Sequence, residues 1–312
     1  MKNKLYNFFF NNAQKIKKIL GISNFEAFKK KNKKKINKLY YTKKYNTDDL
    51  INVMKSMGLK KDSIVFIHSS MTEFYNYTGS AEELIERIIK EIGENGTLLM
   101  PAYPKNQKFN EEVDFDVLKS PSGAGYLSEL FRKRAGVMRS INLQHSVCAY
   151  GKLADYFTNE HHLSLTTWDE RSPYYKMSQM DTLVFSFGLP YFLGTMIHCT
   201  ESILRLKYQY FSEFFKKQTM YTYKNEKGEI SEHKYLTHDF ARKRSKKKII
   251  KKFFDSNQFH RTKLSNLNIE MVNAKYTLDL FLKLAENGIT MYSIPSPDPY
   301  LTEKKLFIKL KE

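Results

Sequence analysis

SIVFIHSSMTEFYNYTGSAEELIERIIKEIGENGTLLMP, residues 63–101, decides the fold. It begins with SIVFIH (63–68), a short apolar run with the β-branched and aromatic content of a buried strand. Ser69 and Ser70 then open a polar loop that runs to Gly79. Ser80 followed by Glu83 predicts a capping box, with its helix over 81–93. A turn at 93–96 leads into a second strand at 97–100, which Pro101 stops. Strand, helix and strand at this spacing form a βαβ unit, so the sheet is at least partly parallel. Ligands of such sheets sit beyond the carboxyl ends of the strands, where Ser69, Ser70 and 101–103 fall.

Working outward, Thr47 reads as the N-cap of a helix in TDDLINVMKSMGL, and YLSELFRKR (126–134) and 153–157 read as further helices. Residues 182–187, TLVFSF, predict another buried strand, broken by Gly188 and Pro190. Thr195 is a suitable N-cap for the helix that follows. Residues 221–224 and 229–235 flank Lys227-Gly228 as a hairpin, and a last helix spans 273–286. The expected architecture is α/β, a partly parallel mixed sheet flanked by helices. One catalytic domain over 46–312 follows a basic N-terminal extension over 1–45.

The net charge of +19 is unevenly placed. Residues 1–45 hold 14 Lys and one Glu, for +13, and ARKRSKKKIIKK (241–252) adds +8, leaving −2 for everything else. A nearly neutral body argues against a nucleic-acid-binding fold, whose basic groove runs through the domain itself. Phe8, Ile16, Ile19, Leu20 and Phe25 can line a basic amphipathic helix, suited to peripheral contact with an anionic membrane; solvated lysines read equally well. No apolar run approaches the roughly 20 residues of a bilayer span. Two cysteines, Cys148 and Cys199, give no disulfide framework, which points to a cytoplasmic protein.

Three residue sets are candidates for chemistry. If a helix starts at Thr195, His198 is its third residue and Glu201 lies one turn on, on the same face. A first-turn imidazole meets the positive end of the helix dipole, which favours its neutral form, and a carboxylate can orient it as a general base. A structural histidine on a buried helix fits the same pattern. Ser69 and Ser70, with Met71 behind them, offer hydroxyl and N–H groups to a phosphate or amide. Arg139-Ser140 sets a guanidinium beside a hydroxyl, suited to a phosphate. There is no G-x-S-x-G elbow, P-loop or dinucleotide fingerprint. His198-x-x-Glu201 matches half of a di-iron motif, but no second half suits a bundle, and His161-His162 reads as an exposed helix-end pair, so no metal is expected.

Taken in order, VFIHSSM (65–71), GTLLMPAYP (96–104), SPSGAGYLSELFRKRAGVMRS (120–140), HSVCAYGKLAD (145–155), RSPYYKM (171–177) and GTMIHCTES (194–202) resemble the aminoglycoside 3-N-acetyltransferases. The resemblance covers about residues 47–300. It implies an α/β fold with acetyl-CoA as co-substrate in a central cleft. It further implies that His198 is the base, that Glu201 is its acid, and that Ser69 and Ser70 border the pantetheine arm. Tyr75, Leu143 and Ala102 depart from the family's usual Gly, Pro and Thr.

The expected reaction is direct attack by the amine of an amino sugar, without an acyl-enzyme. An aminoglycoside is a polycation and wants an acidic cleft, for which Asp114, Asp116, Asp169, Glu170 and Glu201 are candidates. The basic appendages suit instead a nucleotide-linked or surface-polysaccharide amino sugar. A non-catalytic CoA- or polyanion-binding protein is the remaining alternative.

Overall fold

The computed structural model describes residues 36–105, 112–189, 195–238, 251–292 and 296–310. The readings placed on Phe8, Ile16, Ile19, Leu20, Phe25, Pro190 and most of the 241–252 run lie outside them. The chain divides into two units, Met1–Lys44 and Tyr45–Glu312, and the elements named next belong to the second.

Helix α1 (Thr47–Ser56) is capped by Asn46, one residue before the expected Thr47, because Asn46 and Asp49 exchange the two bonds of a capping box. Strand β1 (Ile64–Ser69) leads to α2 (Ala81–Ile92), where Ser80 and Glu83 form the expected box. Leu84, Ile85, Ile88 and Ile92 fall on one face of α2 and are buried; each contributes about 1.5–3 kcal/mol of burial. Then come β2 (Thr97–Pro101), β3 (Phe115–Asp116), α3 (Tyr126–Lys133), β4 (Met138–Arg139), β5 (Val147–Gly151), α4 (Ala154–Thr158) and α5 (Pro173–Ser178). They are followed by β6 (Thr182–Phe187), α6 (His198–Leu204), α7 (Gln209–Ser212), β7 (Lys217–Lys224), β8 (Ile230–Thr237), β9 (Phe259–Leu264), β10 (Leu267–Asn273) and α8 (Ala274–Glu286).

Seven strands form one mixed sheet in the order β4-β5-β2-β1-β6-β10-β9. Its centre is parallel, with β1 between β2 and β6, and antiparallel strands extend both sides. Side chains alternate across a strand. Phe66, Leu99 and Val184 therefore pack under α8 and α5, while Val65, Ile67, Leu98 and Phe185 pack under α1, α2 and α3. Both faces of the central strands are covered, as their near-continuous apolar runs require. Gly151, at φ +115°, ends β5 where a Cβ would strike the Gly96 carbonyl. Ser69 pairs with Phe187, which brings the carboxyl ends of β1 and β6 side by side. The remaining strands make a small sheet, β3-β7-β8. Among the described residues no helix is long and apolar enough to cross a membrane.

Two buried histidines fasten the loop between α4 and α5. His161 is fully buried rather than exposed: Ser140 Oγ lies 2.9 Å from its Nδ1 and the Thr167 carbonyl 3.0 Å from its Nε2. His233 bridges Tyr221 Oη at 2.8 Å and the Ser164 carbonyl at 2.7 Å. A carbonyl only accepts, so Nε2–H donates in both rings, and in the neutral ring this leaves Nδ1 to accept from the hydroxyl. Burial lowers the pKa of each, that of His161 most strongly.

That arrangement ties stability to pH. The unfolded chain protonates these rings below about 6.5 while the folded chain does not, so stability falls as pH drops through that value. Each ring contributes a slope of up to about 1.4 kcal/mol per pH unit. Urea midpoints should fall between pH 7.5 and 5.5, above the range where carboxylates titrate. The His161→Gln/His233→Gln double variant, less stable at pH 7.5, should lose less over the same interval. Equal losses in the two proteins would refute the assignment.

Candidate active site

A single 3₁₀ turn, Thr195–Ile197, feeds α6, so His198 opens the α-helix itself. The three-residue step to Glu201 puts both side chains on one face, with Nδ1 3.0 Å from Oε2. Two residues distant in the chain complete the cluster. His238, just past β8, brings Nε2 to 2.5 Å from the same Oε2. Tyr292, beyond α8, places its hydroxyl 3.2 Å from His198 Nδ1 and hydrogen-bonds the Glu201 carboxylate. Neither has a local signal. A lone His at a strand end and a Tyr after a helix are ordinary features of any chain.

Glu201 is 2% exposed. Burial acts to raise its pKa, but the charges and hydrogen bonds of His198 and His238 outweigh it and hold the carboxyl well below the usual range. An ionised carboxylate only accepts, so His198 donates through Nδ1–H, which leaves Nε2 as the nitrogen not engaged by Glu201. Aromatic rings surround the group. Trp168 lies 5.1 Å from the His198 ring and 5.2 Å from that of His238, and Phe215 lies 4.9 Å from His238. His145 stands 4.9 Å beyond Trp168, and Tyr103 6.2 Å beyond His145. This row of rings runs from the carboxyl end of β2 to α6. Burial, and then the neighbouring His198 and His238, push the His145 ring down to about 3.

Among the described residues, His198, Glu201 and His238 form the one group with metal-ligand proximity, their ligand atoms within 4.8 Å of one another. Both nitrogens lie within hydrogen-bond distance of one carboxylate oxygen, Nδ1 of His198 at 3.0 Å and Nε2 of His238 at 2.5 Å.

Ser69, Ser70 and Met71 sit at the carboxyl end of β1, partly exposed. The Ser70 N–H donates to the Phe187 carbonyl at 2.9 Å, and its Oγ lies 3.1 Å from Thr72 Oγ1. Arg139 and Ser140 are used differently from the expected phosphate contact. Arg139 is 5% exposed and donates to the carbonyls of Ala102, Val117 and Ser120 and to Ser146 Oγ, with its guanidinium over the Phe115 ring. Burial lowers it to about 10. Ser140 Oγ is buried, taken by His161 and the Val147 N–H. This pair braces loops from inside.

Of the expected acidic lining, three aspartates are engaged by local backbone. Asp114 accepts from Thr222, Asp116 from Leu118 and Lys119, and Asp169 from Leu165, Thr166 and Arg171, all through backbone N–H groups. Glu170 is exposed. Leu143 and Ala102 are fully buried packing residues.

The Antibiotic_NAT family model, described as aminoglycoside 3-N-acetyltransferase, matches residues 66–286. The SPbeta prophage-derived aminoglycoside N(3')-acetyltransferase-like protein YokD of Bacillus subtilis (strain 168) is 30% identical over 189 residues, covering 54% of this chain. The match spans 66% of that relative, just under two thirds of its length. Of solved structures, AAC-IIIb binary with CoASH superposes with a TM-score of 0.65 at 19% identity, over 78% of this chain and 96% of that one. AAC-VIa bound to sisomicin gives 0.64 at 15% identity, over 78% and 98%. At these identities the structures share the fold.

The contacts of Arg139 lead to a direct test. Arg139→Leu removes a donor from three carbonyls, of which Ala102 keeps the Ser146 hydroxyl; a buried carbonyl left unsatisfied costs about 1–3 kcal/mol. The variant should lose at least about 2 kcal/mol in urea unfolding while folded protein at low temperature keeps its affinity for CoA within about threefold. Unchanged stability with weakened CoA binding would return Arg139 to the ligand.

Proposed function

The chain belongs to the aminoglycoside 3-N-acetyltransferase family, and on that premise we propose that it transfers the acetyl group of acetyl-CoA to an amine of an amino sugar. His198 is the general base and Glu201 holds it. The observation that carries this reading is the Nδ1–H···Glu201 bond of 3.0 Å, which assigns the basic lone pair to Nε2 of a partly exposed ring. An amine attacks a thioester only when unprotonated, and a positioned base contributes about 10²–10⁴-fold.

The amine nitrogen forms a bond to the acetyl carbon, and Nε2 of His198 takes the proton that nitrogen sheds. The carbon–sulfur bond breaks, and the imidazolium returns its proton to the departing CoA thiolate. Glu201 stays ionised throughout and offsets the imidazolium charge. The Ser69-Ser70-Met71 turn, at the carboxyl end of β1, supplies hydroxyl and N–H groups along the pantetheine arm. The CoASH carried by one solved relative and the sisomicin carried by another support these two ligand classes for this chain.

The test is acetyl-CoA turnover with a panel of aminoglycosides and of neutral and nucleotide-linked amino sugars. His198→Ala should lower kcat at least about 10²-fold with CoA affinity nearly kept, and Glu201→Gln should cost less. Wild-type-like turnover in His198→Ala would sink the mechanism.

We propose further that residues 1–44 are dispensable for turnover. Tyr45 is buried and exchanges backbone bonds with Asn76 and Thr78, so a shortened chain has to retain it. A protein starting at Lys43 should fold and keep kcat within about threefold; insolubility or lost turnover would count against the division.

A further inference from the structure

We propose that His238 is a positioning residue for this reaction: through Glu201 Oε2 it fixes the ring and tautomer of His198. The inference rests on the general-base reading above and deepens it.

Two other buried histidines show what a structural imidazole does in this protein. His161 and His233 each give Nε2–H to a backbone carbonyl and take a hydroxyl on Nδ1. His238 instead directs Nε2 at a side-chain carboxylate, the one that holds His198. Its side chain is 0% exposed, so it has no face for a substrate. His198 and His238 meet the same oxygen from rings 5.3 Å apart, so neither can move without disturbing the bond of the other. Trp168, Phe214 and Phe215 wall the His238 ring. They leave it little freedom to choose another partner. Its place at the end of β8 fastens the small sheet to α6, so a strand far from His198 in sequence sets the geometry of the base.

Two consequences separate positioning from simple support. Without the His238 donor, Oε2 presents more negative charge to His198, which favours its imidazolium and makes Nε2 protonate at higher pH. The Glu201 carboxylate also gains freedom to rotate, which loosens the His198 ring and costs rate at a reaction centre sensitive to ångström shifts. The titratable groups facing this pair are Glu201 on α6, Tyr292 after α8 and His145 before β5, with Cys199, Asp169 and Tyr210 next outward. Of these, Glu201 is bonded to both rings.

The experiment compares the full-length wild type with His238→Leu and His238→Gln, whose amide can keep an N–H near Nε2. The pH dependence of kcat/KM is measured beside histidine-selective ¹⁵N spectra of the unliganded proteins. In the wild type, His198 should be the Nδ1–H tautomer. His238→Leu should lower kcat by about tenfold or more with KM for acetyl-CoA nearly unchanged, and move the acidic limb up by about half a pH unit. His238→Gln should recover most of both. A wild-type profile in His238→Leu, or equal loss in both variants without a moved limb, overturns the proposal. So does an Nε2–H tautomer of His198 in the wild type, whether or not the leucine variant folds. If no amine is acetylated, the proposed function falls, while the ¹⁵N tautomer and titration still test the role of His238.

Discussion

A carboxylate cannot be buried in a protein unless donors meet it, and Glu201 is the carboxylate on which this molecule depends. Left unmatched, such a charge costs several kcal/mol even after relaxation. Here His198 reaches it from its own helix, His238 from the end of β8, and Tyr292 from beyond α8. These donors come from three separate elements of the fold. The large sheet, the small sheet and the last helix must all be in place before the charge is satisfied. Their convergence falls on the helix that follows β6, whose carboxyl end lies beside that of β1.

Loops at such a strand end are irregular, and irregular backbone needs side chains to satisfy its polar groups. Much of the conspicuous polar chemistry goes to that task. Arg139 collects three carbonyls, Asp169 collects N–H groups on the loop carrying Trp168, and His161 and His233 pin the same loop from two sides. Trp168 is thereby fixed between His145 and His198. Residues that look ready for a ligand thus serve the frame around the ligand site.

That division explains what the sequence could disclose. The βαβ unit, β6, the hairpin and α8 were legible because alternation, caps and turn residues act over a few positions. His198 with Glu201 was legible because a three-residue step on a helix is itself a distance. Asn46 and Thr47 are both good caps, and only the Asp49 side chain chooses between them. Arg139 and Asp169 read as ligand-facing, yet both bond backbone groups, because a charged side chain does not announce whether its partner is a ligand or the main chain. His238 and Tyr292 could not be read at all, since their role exists only once β8 and the segment after α8 reach α6.

The same geometry gives the proposed proton transfer its electrostatic sense. The Glu201 carboxylate holds one negative charge on an oxygen walled by rings. His198 is the cluster's one member with appreciable side-chain exposure, 16% against 3% for Glu201 and 0% for His238. It therefore borders both the dry interior and the open side, from which the proposed amine substrate would come. His145, pushed down to about 3, adds no positive charge to the row of rings beside it at neutral pH. A proton moving from the amine to Nε2 then enters a site already prepared with the opposite charge, and the transfer ends as a neutral imidazolium–carboxylate pair. In a region of low dielectric that cancellation is worth far more than in water. It also makes the fixed position of Glu201 matter more than its basicity.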